Sequence, residues 1–300
     1  MKYLTFLCIV FALVLVQSVF AQPYDRLSES KNHSAKVYYS AGHETRAIAI
    51  AKRIDKAIVY FEQLLAFKPD VSLLVLSSAD WSTYTSFPVY GMPHYTDNKT
   101  LIIAAEDNPF WKSFIPPLEQ LPAALREKIQ HTYKNEMGEI SMQAFFDLLA
   151  LHELGHAFHI QGGLTMQRKW LGELYPNILL HTYIAENERE MLPALTLFPQ
   201  MVIGGGTKEL KYTSLPDLET HFEELGKQYP KNYGWYQCRW HAAAATIYNS
   251  AGKMVCRNLW NALKGNTKIL SDEELADFLS KQGDKSVADM MRNWDQLSVK

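Results

Sequence analysis

The chain has 300 residues, of which 47% are hydrophobic, and its formal net charge is -2. This hydrophobic content suffices for a substantial core, and the length suits one large domain or two lobes that share a cleft. Charges of both signs are scattered along the chain without the basic stripe that nucleic-acid binding needs, so we expect no nucleic-acid partner.

The N-terminus has the features of an export signal. Lys2 gives a positive start, residues 4–16 form an apolar run, and residues 19–21 (Val-Phe-Ala) resemble a cleavage site. The competing interpretation is a membrane anchor, but the run is short for a span and lacks a basic flank. We therefore expect cleavage near Ala21 and an exported mature chain, secreted or periplasmic, without a membrane span.

Two cysteines remain after cleavage, Cys238 and Cys256. In an oxidising compartment they could form one disulfide, and they could equally be two buried thiols that pack as small hydrophobic groups. The sequence leaves both alternatives open. In either case the core must supply the stability of the fold.

The first part of the mature chain alternates strand and helix patterns. Apolar residues at helical spacing predict a helix from His43 to Phe67, which Pro69 and Asp70 end. Strands are predicted at Lys36–Tyr39, Val71–Leu76, Thr83–Tyr90 and Thr100–Ala104.

Beyond Pro116 and Pro117 the pattern becomes helical. Leu118–Tyr133 predicts an amphipathic helix, and a second helix is predicted from about Met142 to Ile160, capped by Ser141. Because strands precede this helix and helices follow it, we predict an α+β fold with a small mixed sheet. The predicted divisions are a signal peptide at 1–21, an N-terminal α+β lobe at 22–163 and a helical C-terminal lobe at 164–300.

A metal-binding pattern lies within the last helix of the N-terminal lobe. His152, Glu153 and His156 read His-Glu-x-x-His. Residues four apart share a helix face, so the two imidazoles can reach one metal ion. Glu153 is rotated to one side, where it can accept a proton from a zinc-bound water whose pKa the metal has lowered. The pattern therefore predicts metal-dependent hydrolysis.

The alternative is a pair of surface histidines beside a glutamate on an ordinary helix. However, apolar residues surround the helix axis on almost all sides: Leu148, Leu149, Leu151, Leu154, Ala157 and Phe158. This distribution is typical of a buried helix. Buried histidines and a buried glutamate need partners or a metal, so metal binding is the favoured interpretation.

A catalytic zinc site needs a third protein ligand, and Glu173 is our candidate. A proline is tolerated in the first turn of a helix, so Pro176 predicts a helix that begins near Gly172 with Glu173 as its first residue. The helix dipole would then favour an ionised Glu173. His159 lies a full turn beyond the histidine pair, where a supporting role is expected. Glu186 and its acidic neighbours are rival ligands in a polar cluster.

The motif residues and Glu173 give the chain a resemblance to the gluzincins, the zinc peptidase group that includes thermolysin and aminopeptidase N. It covers roughly residues 100–187 and is closest to the peptidase-MA-like proteins. The resemblance implies a zinc cofactor and peptide or protein substrates. This chain departs from the pattern in two ways. The gap between His156 and Glu173 is slightly short, and Asn177 stands where many gluzincins carry an aspartate that orients a histidine.

The resemblance implies two further features of the cleft. An edge strand should pair with the extended substrate, and Thr100–Ala104 is the matching candidate, with an ordinary interior strand as the alternative. A tyrosine or histidine from the C-terminal part should stabilise the oxyanion. Tyr233, Tyr236 and His241 are eligible, and we choose Tyr236 and His241 as candidates, with core packing as the alternative.

Three functions remain in competition. The first is an exported zinc metallopeptidase, the second a zinc hydrolase acting on cell-wall peptides, and the third a non-catalytic binding protein that retains the peptidase-like fold. The intact Glu153 favours an enzyme, because a pure binding protein has no need of the general base. We therefore expect a peptidase.

Overall fold

The structure is a computed structural model that describes residues 24–296. The predicted signal peptide at residues 1–21 and its cleavage site lie outside the described residues. Within 24–296, no helix is both long and apolar enough to cross a membrane.

Five strands form one mixed sheet in the order β1-β2-β3-β5-β4. The strands are β1 (Ser28–Ser30), β2 (Lys36–Tyr39), β3 (Ser72–Leu76), β4 (His94–Thr96) and β5 (Thr100–Ala104). The three inner strands run parallel to one another, and the two outer strands pair antiparallel with them. Every residue of β3 and β5 is buried, as is typical of parallel strands at the centre of a sheet.

Helices make up most of the remaining described chain. They are α1 (Glu44–Leu65), α2 (Ser78–Tyr84), α3 (Pro109–Lys112), α4 (Ala123–Tyr133), α5 (Gln143–Phe146), α6 (Leu149–Gln161), α7 (Lys169–Asn187), α8 (Leu192–Gly204), α9 (Leu215–Gln228), α10 (Pro230–Ala251), α11 (Met254–Gly265), α12 (Asp272–Phe278) and α13 (Lys285–Arg292). The strands all precede α3, so the described chain is a mixed α/β fold with a small mixed sheet, as predicted.

Three predicted elements have different bounds in the structure. The strand predicted at Thr83–Tyr90 is instead the end of α2 and a loop, because Ser77 caps a helix there. The helix predicted over Leu118–Tyr133 is interrupted by Pro122, after which α4 begins. The helix predicted from Met142 to Ile160 is divided into α5 and α6.

The helix α6 lies between the sheet and the C-terminal helices. It packs against β4 and β5 on one side and against α7 on the other. Beyond α7 lies α10, which in turn packs against α8 and α9. One continuous cluster of buried apolar side chains joins the sheet to these helices.

The approach of α6 to α7 depends on a glycine and a proline. A Cβ added at Gly155 would lie 2.7 Å from the Cα of Pro176, so only glycine permits this contact. The prediction that Pro176 lies in the first turn is wrong, since α7 begins at Lys169 and Pro176 is inside it. An interior proline costs about 3 kcal/mol because it removes a helical hydrogen bond. Its ring here packs directly on Gly155, which offsets part of that cost.

Cys238 and Cys256 are both buried free thiols. The Sγ atom of Cys256 lies 3.3 Å from the Oγ1 atom of Thr182, within the core between α7 and α11. Of the two alternatives that the sequence left open, the structure has the pair of packed thiols.

Candidate metal centre and cleft

The helix α6 carries the three motif residues into the interior. His152 and Glu153 are each 5% exposed, and His156 is half-buried where it borders a cleft. Apolar side chains on the other faces of α6 belong to the continuous core. The histidines therefore occupy fixed positions on one face of a helix that is packed on both sides.

Glu173 of α7 completes a triangle with the two histidines. The Nε2 atoms of His152 and His156 are 3.0 Å apart. The Oε2 atom of Glu173 lies 3.4 Å from Nε2 of His152 and 3.6 Å from Nε2 of His156. Within residues 24–296, this is the group of three ligand-type side chains whose atoms converge closely enough to hold one ion.

The triangle has the dimensions of one face of a tetrahedral zinc site. Zinc bonds of about 2.1 Å place tetrahedral ligand atoms about 3.4 Å apart. A circle through the three observed atoms has a radius of about 1.9 Å, so a point just off their plane lies about 2.1 Å from all three. Two imidazoles and a carboxylate are also a known donor set of catalytic zinc, so the residues fit that ion.

The histidines hold Glu173 in its charged form. Burial by itself raises the pKa of this carboxyl, but His156 and His152 reverse that effect and hold its pKa well below the usual range. Reciprocally, burial lowers the pKa of His156, whereas the carboxylate of Glu173 outweighs burial and raises it. The helix dipole is not the cause, because Glu173 lies in the second turn of α7 rather than at its first position, as was predicted.

Glu153 lies beside the triangle and is not part of it. Burial raises the pKa of this carboxyl, and His152, His156 and the backbone N–H of Tyr95 offset part of the rise. Tyr95 belongs to β4, so the edge of the sheet reaches the same point as the motif helix. A carboxyl group with a raised pKa next to a potential metal is suited to exchange protons with a reacting group.

His159 lies where a supporting residue for His156 would lie. Its Nε2 atom is 3.0 Å from the Nδ1 atom of His156, on the opposite side of that ring from the triangle. Burial, with a further contribution from His156, lowers the pKa of His159 to about 3, so this ring is neutral. A neutral imidazole can fix the orientation of a ligand histidine through this contact.

Gln237 of α10 is a site residue that the sequence did not reveal. Its Nε2 atom donates to Oε2 of Glu173 at 2.7 Å and to the hydroxyl of Tyr233 at 2.9 Å. Its Oε1 atom accepts from the amide of Asn177 at 3.3 Å. One glutamine therefore joins the candidate ligand on α7 to a tyrosine in the cleft. Gln237 lies four residues after Tyr233, and this spacing on one helix face could have predicted that the two side chains are neighbours.

His152 and His156 differ in the hydrogen bonds that orient their rings. The Nδ1 atom of His152 and the Oδ1 atom of Asn177 are both buried without a hydrogen-bond partner among the described residues. The amide nitrogen of Asn177 is used elsewhere, since it donates to the carbonyl of Glu173 at 3.0 Å. Among the described residues, His152 thus has no acceptor of the kind that usually orients a ligand histidine.

The two residues chosen as oxyanion donors lie in different places. The hydroxyl of Tyr236 donates to the carbonyl of Ser214 at 2.7 Å, and its ring is fully buried and stacked on Trp240, so it packs in the core and does not line the cleft. His241 lines the cleft, with its ring centre 6.5 Å from that of His152. Burial holds the pKa of His241 well below its usual range, so its ring is neutral.

The candidate site opens into a cleft of about 870 Å³. Its walls come from the β4 segment, from α5 and α6, and from α9 and α10. The outer strand of the sheet on the side of the cleft is β4, whereas Thr100–Ala104 (β5) lies between β3 and β4. The choice of Thr100–Ala104 as the edge strand is therefore wrong, because the short strand His94–Thr96 pairs with its outer side.

Comparison with protein-family models, with curated proteins and with solved structures found no match for this chain. The resemblance to the gluzincins therefore rests on the motif residues and on Glu173. The function has to be inferred from the side-chain geometry described above.

Proposed function

We propose that this protein is an exported zinc-dependent metallopeptidase. The observation that carries the proposal is the convergence of His152, His156 and Glu173 on one point beside Glu153, at the bottom of a cleft large enough for a peptide. His152, His156 and Glu173 would hold the metal. A zinc ion held there would lower the pKa of a water and polarise the scissile carbonyl group.

Glu153 is the general base of the proposed reaction. Its carboxylate accepts the proton of the attacking water and then returns it to the leaving amine. The surrounding apolar residues of α6 keep it fixed at that position, which lowers the entropic cost of the proton transfer.

Tyr233 is the proposed oxyanion donor in place of Tyr236, one of the two residues predicted for that role. Its side chain lines the cleft, and Gln237 links it to Glu173. Burial and the negative charge of Glu173 raise the pKa of the Tyr233 hydroxyl well above its usual value, so it keeps its proton and can donate to a developing oxyanion. His241 remains a second donor candidate on the same helix.

The substrate binds along β4 in an extended conformation. Among the described residues, the strand His94–Thr96 pairs with β5 alone, so a peptide can pair with its other edge, beside the contact of the Tyr95 backbone N–H with Glu153. Backbone pairing of this kind gives affinity independent of sequence. The residues of β4 line the cleft, which places a paired peptide across the mouth of the candidate metal centre.

The test is the substitution Glu153→Gln in the purified protein. We expect it to retain bound zinc and to lower turnover of an unfolded protein substrate by about 100- to 10,000-fold, the usual contribution of a general base. The control is Glu223→Gln, which removes a carboxylate at the exposed rim of the same cleft. Loss of zinc in Glu153→Gln, or full activity with zinc bound, would refute the assignment of the base.

A second candidate is a non-catalytic binding protein. It is favoured by Asn177 and by the unpartnered Nδ1 atom of His152, since weak support of a ligand suits binding better than turnover. Cleavage of any peptide by the zinc-loaded protein, abolished in Glu153→Gln, would exclude this candidate. Stable peptide binding without cleavage would establish it.

A further inference from the structure

We propose that Gln161 is a positioning residue that holds β4 and its turn to β5 in the place where a substrate peptide pairs. This inference rests on the peptidase function proposed above. Gln161 is the last residue of α6 and lies outside the lining of the cleft, so it acts through β4 and does not touch the substrate. The end of α6 is itself fixed in place, since a Cβ added at Gly162 would lie 2.3 Å from the ring of Trp260.

The side chain of Gln161 contacts two separate segments of the chain. Its Oε1 atom accepts from the backbone N–H of Asp70 at 2.8 Å, and its Nε2 atom donates to the carbonyl of Asp70 at 2.9 Å. The same Nε2 atom lies 2.9 Å from the carbonyl oxygen of Asn98 and 3.0 Å from the hydroxyl of Tyr95. Asp70 precedes β3, whereas Tyr95 belongs to β4 and Asn98 to the turn that follows it. One side chain therefore joins the motif helix to both an inner and an outer part of the sheet.

The outer strand β4 depends on such support because it is short. It has three residues, and β5 is its partner within residues 24–296. The turn between the two strands contains Asp97 and Asn98 with φ of 50° and 55°, a conformation that residues other than glycine adopt infrequently. A strand with so few ladder hydrogen bonds opens more readily than the buried strands β3 and β5.

The other side-chain contacts of β4 do not lead to the motif helix. The ring of His94 lies 2.7 Å from the hydroxyl of Thr85 and 2.9 Å from the carbonyl of Met92, both of which precede β4 in the chain. The backbone N–H of Tyr95 faces Glu153. Apart from that contact, the described hydrogen bonds between α6 and the segment of β4 and its turn all come from Gln161.

A strand that is already in place binds a peptide without an ordering cost. When Gln161 is replaced by leucine, β4 should spend more time away from its position against α6. The peptide must then bring the strand back, so its KM should rise. Once paired, the peptide meets the same Glu153, so kcat should be retained.

The first experiment measures amide hydrogen exchange in the purified metal-free protein. In Gln161→Leu, the protected amides of His94–Thr96 should exchange at least about threefold faster than in the wild type. The control is Gln167→Leu, which removes a matched two-point pairing with the carbonyl of Lys268 at 2.6 Å and the N–H of Leu270 at 2.9 Å. Unchanged β4 exchange in Gln161→Leu, or equal acceleration in Gln167→Leu, would overturn this inference whether or not the protein cleaves peptides.

The second experiment measures cleavage of an unfolded-protein peptide by the zinc-loaded variants. Gln161→Leu should raise KM at least about threefold and leave kcat within about twofold, whereas Gln167→Leu should change neither. A lower kcat with unchanged KM in Gln161→Leu would contradict the positioning role. Absence of cleavage by the wild type would instead overturn the proposed function, while the exchange of β4 still decides whether Gln161 holds the strand.

A milder variant serves if Gln161→Leu does not fold. Tyr95→Phe deletes the hydroxyl partner and keeps the pairing of Gln161 with Asp70. Exchange of the β4 amides should again accelerate, by less than in Gln161→Leu, and the double variant should exchange no faster than Gln161→Leu because both changes remove the same contact. Unchanged exchange in Tyr95→Phe, or additive effects in the double variant, would show that the contact does not hold β4.

Discussion

The interior contains buried histidines in two different settings. His152 and His156 face the carboxylate of Glu173. His181 and His241 are as buried as His152, at 5% and 6% exposure, but no carboxylate among residues 24–296 is hydrogen-bonded to them. Burial lowers the pKa of His181 to about 4 and that of His241 well below its usual range, whereas Glu173 reverses the effect of burial at His156.

The difference indicates that burial alone does not bring together the ligands of a candidate metal site. An isolated buried histidine is stable as a neutral ring that packs among apolar neighbours, as His181 does beside Tyr248. The pair on α6 differs because two ring nitrogens and a carboxylate oxygen converge on one point. If this convergence of ligand atoms decides where zinc binds, substitutions at the triangle should affect zinc affinity far more than substitutions at other buried or cleft-lining histidines.

The largest effect on zinc affinity is expected from replacing His156, with His241 of the other setting as the control. His156→Ala removes a corner of the triangle and should lower zinc affinity by more than the 10- to 100-fold that loss of a supporting contact typically costs. His241→Ala, at the edge of the same cleft, should change zinc affinity less than about threefold. Competition against a chelator measures both. Equal losses in the two variants would show that the triangle is not the zinc site.

A smaller loss is expected when the support of Glu173 is removed. Gln237→Leu keeps the size of the side chain but deletes the donor 2.7 Å from Oε2 of Glu173. Zinc affinity should fall by about 10- to 100-fold, and the metal-free protein should lose about 1–3 kcal/mol of stability because Glu173 and Asn177 each lose a buried partner. Gln228→Leu, at the exposed end of α9, is the control. If the metal-free stability fell and zinc affinity did not, Gln237 would have a structural role only.

The convergence itself depends on the contact of α6 with α7. Gly155→Ala introduces a methyl group 2.7 Å from Pro176, so the helices must separate, at a cost of about 1–3 kcal/mol in the free energy of unfolding. The control is Gly172→Ala, whose methyl group would meet only Met166 at 3.9 Å. That variant should be as stable as the wild type or more so. Denaturant unfolding measures both, and equal stabilities would mean that the close contact is not needed.

The smallest effect concerns pH and His181. The folded protein keeps this ring neutral down to about pH 4, whereas the unfolded chain binds a proton below its ordinary pKa of 6.5. The contribution of His181 to stability is therefore complete above pH 6.5 and is lost as the pH falls toward 4, by at most about 1.4 kcal/mol per pH unit. The difference in stability between wild type and His181→Gln should shrink over that window. A constant difference would show that the ring is not held neutral.

The sequence predicted the parts of this account that depend on local periodicity. The bounds of β2 and β5 follow from short β-prone runs, and the long helix α1 and the helix that carries the motif follow from apolar residues at helical spacing. The three candidate metal ligands, His152, His156 and Glu173, do converge in the structure. The motif spacing predicted the two histidines, whereas Glu173 was chosen from its position after the motif and from a helix start that is wrong.

The remainder depended on tertiary contacts that have no local signature. Pro176 occurs inside a helix because Gly155 of another helix accommodates it, so a rule about proline alone predicted the wrong helix start. Tyr233 and Tyr236 differ by three positions on α10, and only the packing of α9 and α10 decides which of them reaches the cleft. The edge strand was misassigned because β4 has only three residues.

The most direct test of the central claim is the zinc content of the purified protein and of Glu173→Ala, both measured after reconstitution at neutral pH. The account predicts one zinc ion per wild-type chain and little retained zinc in the variant, because two histidines remain without the carboxylate that completes the triangle. A wild-type protein without zinc would contradict the peptidase proposal. Equal zinc in both proteins would contradict the assignment of Glu173 as the third ligand.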